Sequence, residues 1–168
     1  MLSALIGRFD GLRCDAVDPA GEATCWARIS PAQPGGICDE CWRLLATDGE
    51  PAQRILLANE PDLPSWVADI LAADNQSLVR ANLAGRDSLE GEARRALLRP
   101  DEAGEVTRRL ARRADLTPDE QRILVYSHDV ATLRILAGNT SEPELRDLLA
   151  RHPDDGVRTA ATHGHYSY

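Results

Sequence analysis

The chain has 168 residues, of which 43% are hydrophobic, and 27 acidic against 19 basic residues give it a formal net charge of −8. This is enough for one domain, or for a small module joined to a short stack, and the acidic balance argues against indiscriminate nucleic-acid binding, which depends on a basic surface. Aromatics are only 4% and every basic residue is arginine; a core of Leu, Ala and Val suits short helices packed closely, and the missing lysine reads as a GC-rich coding bias.

The apolar stretch Met1 to Gly7 is too short for a signal-peptide core, Arg8 and Asp10 follow it, and no other run approaches a membrane span. A cytoplasmic location with no membrane contact is therefore expected, and in that compartment four cysteines point to metal ligands over two disulfides. Cys14, Cys25, Cys38 and Cys41 all fall in residues 1–48, spaced C-x10-C-x12-C-x2-C, and none occurs in the rest of the chain. A tetrahedral metal site lets a small loop-rich segment fold without a large core. Asp18-Pro19-Ala20-Gly21 and Pro31-Ala32-Gln33-Pro34-Gly35-Gly36 are turn signals that leave Thr24 to Ile29 as a short strand, and Cys38-Asp39-Glu40-Cys41 runs into a helix.

From residue 49 onward the chain repeats. Leu57-Ala58-Asn59 returns as Leu83-Ala84-Gly85, Leu110-Ala111-Arg112 and Leu136-Ala137-Gly138, then more weakly as Ala161-Thr162-His163, at steps of 26, 27, 26 and 25 residues. A second series half a period away starts at Leu71, Leu97, Leu124 and Leu149. Each unit therefore holds two short helices and buries its apolar face only by stacking on its neighbours. One set is expected at 52–59, 78–84, 105–113, 130–138 and 157–162. The other is expected at 66–73, 89–98, 118–127 and 142–150, where Thr117-Pro118-Asp119-Glu120 carries a capping threonine, a first-position proline and a capping-box glutamate. Ser141-Glu142-Pro143-Glu144 has the same Ser-x-x-Glu pattern.

These residues carry two resemblances. Residues 12–47 resemble zinc-ribbon or treble-clef modules through the Cys38–Cys41 knuckle, which implies a structural Zn2+ held by Cys14, Cys25, Cys38 and Cys41. An iron–sulfur cluster on the same four thiolates, or metal-free cysteines, are the alternatives. Trp26 and Trp42 then cover the metal and the junction. Residues 52–163 resemble variant leucine-rich repeats, with HEAT-like character in Val79-Arg80 and Val157-Arg158 before the Leu-Ala position. In two units Thr107 and Leu133 stand where the arginine is expected, which interrupts a continuous arginine ladder. The implied fold is mainly all-α, a right-handed helical-repeat solenoid of about 26-residue units over residues 49–168, with a small N-terminal four-cysteine metal-binding module containing a short β element over residues 1–48.

Between Arg94 and Arg113 seven arginines (94, 95, 99, 108, 109, 112 and 113) face Asp101, Glu102 and Glu105, a local balance of +4. Arg108/Arg112 and Arg109/Arg113 form i,i+4 rows opposite an apolar stripe of Val106, Leu110 and Ala114. Arg94, Arg95, Arg108, Arg109, Arg112 and Arg113 are the candidate partner-binding residues, for an acidic protein surface or a phosphate backbone; an ordinary solvated face paired with neighbouring acids is the competing reading. His128-Asp129 and His152-Pro153-Asp154 recur at one place in successive units, which marks helix-end hydrogen bonding and not a catalytic dyad. His163 and His165 belong to a tail inside an incomplete fifth unit. The chain has no nucleophile elbow, phosphate loop, dinucleotide fingerprint or H-E-x-x-H pair. The expectation is a non-enzymatic adaptor that binds another protein. The alternative is a nucleic-acid-binding regulator, or a HEAT-like DNA glycosylase, that uses the Arg94–Arg113 island.

Overall fold

The computed structural model describes residues 39–99 and 104–164. Ten α-helices make up the regular structure of this part, and no strand occurs among the described residues. Helix α1 (Asp39–Asp48) has two acids in its first turn, where the positive end of the helix dipole favours them, and it buries Cys41, Trp42, Leu45 and Ala46 as one stripe. The helices that follow are α2 (Pro51–Ala58), α3 (Ser65–Ala72), α4 (Ser77–Ala84), α5 (Gly91–Leu97), α6 (Glu105–Ala111), α7 (Pro118–Leu124), α8 (Val130–Asn139), α9 (Pro143–Leu149) and α10 (Asp155–His163). Every helix expected within residues 49–163 is present, with ends that differ by a few residues. The expected strand at Thr24 to Ile29 lies outside the described residues.

The start signals act as the sequence implies at three helices. At α7 the Glu120 amide donates to Thr117 Oγ1 at 3.3 Å while the Thr117 amide donates to Glu120 Oε2 at 2.8 Å, a reciprocal capping box. Asp129 caps α8 by accepting from the Thr132 amide at 2.9 Å, and Asp154 caps α10 by accepting from the Val157 amide at 2.9 Å. The recurring His-Asp pairs are thus helix-end architecture. The expected cap at Ser141 does not form: α9 begins at Pro143 with Glu142 as its N-cap, one residue later than expected, and Thr140 Oγ1 accepts from the Glu142 amide at 3.1 Å. Pro143 sets that register, since proline is best placed at the first helical position.

Alternate helices stack. Helices α2, α4, α6, α8 and α10 form one row in which each packs on the next, and α1, α3 and α5 begin a second row beside it. This arrangement is compatible with a helical-repeat solenoid. The repeated residues are its core: Leu57, Leu83, Leu110 and Leu136, the alanine after each, and Leu71, Leu97, Leu124 and Leu149 are all at most 2% exposed. A buried leucine contributes about 1.5–3 kcal/mol relative to an exposed one, and the following alanine lets the next helix approach closely. Trp42 and Leu45 join this same core, so α1 belongs to the stack.

Candidate functional site

Long arginines tie each unit to the next, in two series. In the first, an arginine in one helix of the row reaches an aspartate at the start of the next: Arg54 Nε to Asp74 Oδ2 at 2.5 Å, Arg108 Nε to Asp129 Oδ2 at 3.0 Å and Arg134 Nη2 to Asp154 Oδ1 at 3.3 Å. Thr107 and Leu133 do not break this series, because Arg108 and Arg134, one residue later on the same turn, take over the contact. Gly156 leaves the room for it: a Cβ there would collide with the Arg134 guanidinium.

In the second series, a side chain three residues after the repeated leucine reaches back to carbonyls of the previous unit. Arg86 donates to Ala58 O at 3.1 Å and Glu60 O at 2.5 Å, Arg113 to Arg86 O and to Asp87 O at 3.1 Å, and Asn139 to Ala111 O at 2.9 Å. Helix C-terminal carbonyls lack internal partners and carry partial negative charge, so a guanidinium serves both needs. Burial lowers the Arg86 pKa from its ordinary value, opposed by the charge of Glu60.

The positive island divides along these lines. Arg94 is 12% exposed and grips Glu120 through two bonds, Nε–Oε1 at 2.5 Å and Nη2–Oε2 at 2.7 Å, while its Nη1 meets Asp115 Oδ2 at 2.7 Å. Arg113, 8% exposed, holds the same Asp115 through Nε at 2.8 Å and Nη2 at 2.8 Å. The Arg113 hydrogen bonds, joined by those of Arg94, hold the Asp115 carboxyl far below the usual carboxylate range. Burial pushes Glu120 up, but hydrogen bonds from Arg94 and Thr117 outweigh it and leave its pKa lowered. Arg108 and Arg109 share Glu105, and Arg95 pairs with Glu92 on an open surface.

No protein-family model, curated protein or solved structure matches this chain. The site therefore rests on its own geometry.

Arg109, Arg112 and Arg113 come together at one open cleft of about 550 Å³, whose walls also carry Asp87, Glu105 and Asp115. Helix α6 ends at Ala111, two residues before the end expected from the sequence. Arg113 and Ala114 thus leave the helix, the Arg109/Arg113 row is broken, and Arg113 turns back to the preceding unit. Arg112 is exposed, and its side chain makes no hydrogen bond or ion pair with any described residue. Arg109 uses Nε for Glu105 Oε1 at 3.2 Å. Its Nη1 would lie 3.3 Å from a Cβ at position 85, so Gly85 opens the cleft floor.

Of the four cysteines, Cys41 is buried in the first turn of α1, and Cys14, Cys25 and Cys38 lie outside the described residues. Among the described residues, no group of three or more His, Cys, Asp or Glu side chains is placed to hold a metal. His128 is exposed, His152 Nδ1 accepts from the Asp154 amide at 3.1 Å, and His163 Nδ1 lies 3.1 Å from Thr159 O; His165 is outside the described residues. Among the described residues no helix is long and apolar enough to cross a membrane.

Sequence reasoning missed both inter-unit series because their partners lie 20 to 28 residues apart. The signal of the second was nonetheless in the chain: an arginine or asparagine three residues after the repeated leucine in three successive units.

Proposed function

We propose that the chain is a non-enzymatic adaptor that binds another protein through the outward face of its repeats. In this reading residues 49–168 form a right-handed solenoid of variant leucine-rich, HEAT-like units, and residues 1–48 form a four-cysteine module with a structural Zn2+ on Cys14, Cys25, Cys38 and Cys41. The observation that carries the reading is the row α2, α4, α6, α8 and α10. Its helices follow one another at the steps of the sequence repeat, so their outward residues form one continuous array of the kind that solenoids offer to partners. Exposed Leu56, Leu78, Ile123, Tyr126 and Leu148 supply apolar contact points on the surface of the stack.

Zinc fits the donor set, because four thiolates satisfy a closed tetrahedral site and the metal would act as a cross-link in a short segment rich in turn signals. Cys41 is buried in α1, next in sequence to the core residue Trp42, which supports a module continuous with α1. A cytoplasmic location agrees with thiols kept reduced for metal binding. The nucleic-acid reading loses ground because Arg94 and Arg113 are committed to Glu120 and Asp115 inside the protein.

Affinity capture with the immobilised full-length chain in extract of its native host tests the adaptor reading. A protein retained in fixed ratio to the bait supports it. Binding of DNA or RNA that is steeply salt-sensitive and lost on reversing Arg108, Arg109, Arg112 and Arg113 would overturn it. Elemental analysis of protein purified without oxygen should find one zinc per chain, whereas a brown, iron-containing sample would defeat the zinc assignment.

A further inference from the structure

The cleft beside α6 has a charge balance that limits what it can hold. Three guanidinium groups (Arg109, Arg112 and Arg113) stand against three carboxylates (Asp87, Glu105 and Asp115). Arg113 spends four of its five N–H donors on Asp115 and on the carbonyls of Arg86 and Asp87. Arg109 keeps its two Nη groups, since only Nε is bonded to Glu105. Arg112 keeps all its guanidinium donors, with no side-chain partner among the described residues. The free hydrogen-bonding capacity of the cleft is therefore two guanidinium edges, from residues three apart in sequence, over a floor left open by Gly85.

We infer that the Arg109–Arg112 edge of this cleft is the seat of a single carboxylate, an Asp or Glu side chain of the partner protein, and not of a phosphate backbone. A planar carboxylate matches a guanidinium fork and brings one negative charge. A nucleic-acid strand brings a row of phosphates, and Asp87, Glu105 and Asp115 would repel them in a chain whose net charge is already −8. A volume of about 550 Å³ admits an acidic side chain with its flanking backbone. This inference rests on the adaptor reading and adds the chemistry of the contact.

The test uses the full-length 15N-labelled protein, the Nε–Hε resonances of its arginines, and two probes: an acetylated and amidated hexapeptide carrying one glutamate among neutral residues, and a single-stranded oligothymidylate. At an ionic strength of about 0.15 M, where exposed charges act only over short range, the peptide should shift Arg109 and Arg112 saturably. Arg112→Gln should weaken that binding by roughly tenfold, the size of one charge-assisted pair. Arg95→Gln, outside the cleft, should leave it unchanged. Because Arg112 is exposed, its variant should keep the thermal midpoint of the parent, which separates lost binding from lost folding.

Absence of peptide-induced shifts would overturn the inference, as would peptide binding indifferent to Arg112→Gln, or tighter binding of the oligothymidylate through the same two arginines. The adaptor reading fails separately. A captured partner that Arg112→Gln retains at full strength sinks the carboxylate seat alone, and peptide binding at the cleft with no captured protein sinks the adaptor alone.

Discussion

A single side chain, Arg94, shows most clearly what the arginines do. It binds two carboxylates from the next unit, Glu120 through both oxygens and Asp115 through one, while lying 12% exposed itself. Removing one partner of such a pair strands the others, so Arg94→Ala should cost about 2–3 kcal/mol, near the lower end for a buried pair because Asp115 is half exposed. Arg95→Ala, whose pair with Glu92 is open to solvent, should change stability by less than about 0.5 kcal/mol. The pH dependence follows in sign. Folding lowers the pKa of Asp115 from 3.8, through its bonds with Arg113 first and Arg94 after it, and lowers that of Glu120 from 4.5 against the effect of its burial. Below those ordinary values the unfolded chain binds more protons than the folded one, so this stability is complete above about pH 5 and is lost as the pH falls through the acid range. Thermal melts of the parent and Arg94→Ala between neutral pH and pH 3 check this: the gap between them should close as the acid limit is approached.

Between one helix and the next, the row is spliced at helix starts. Gly104 is the residue before α6 and sits at φ +65°, where side chains are disfavoured, and a Cβ there would stand 2.8 Å from Asp129 Cγ. Asp129 caps α8, receives Arg108, and accepts from Thr132 Oγ1 at 2.7 Å, which in turn lies 3.0 Å from Thr107 Oγ1. Gly91 has a similar φ, +66°, but open space around it. Gly91→Ala should therefore cost only the conformational term, about 1 kcal/mol, whereas Gly104→Ala adds displacement of a cap and should cost at least about 2 kcal/mol. Chemical denaturation of both variants measures the difference, and equal losses would show that the Asp129 contact does not matter.

Across the whole molecule, stability is passed from neighbour to neighbour, because the core is the Leu-Ala repeat seen in succession. Leu110 is completely buried in the middle of the row. Leu110→Ala should cost about 2–5 kcal/mol, while Leu148→Ala, on an exposed position, should cost less than about 0.5 kcal/mol. Urea unfolding followed by helical circular dichroism checks both. A fall in the slope of the Leu110→Ala transition would mean that the two halves of the stack unfold separately.

The period, the two helices per unit, the residues of the core and the capping of α7 were all legible in the linear chain. These are local matters: a leucine every 26 or so residues, with a Thr-Pro-x-Glu start between, needs no knowledge of neighbours to be read. Recurrence also placed Asp129 and Asp154 at helix ends. The condition of the arginines was not legible, and it took the packing of the helices to settle it. A run of +4 between Arg94 and Arg113 is a count along the chain, but a guanidinium pairs with what lies beside it in space, and here that is a carboxylate or a helix-end carbonyl about one repeat away. Stacking consumes Arg94 and Arg113 and carries the ladder past Thr107 and Leu133. It leaves the Arg112 side chain and the outer edge of Arg109 without a bonded partner among the described residues, because Glu105 alone is within bonding reach of the two.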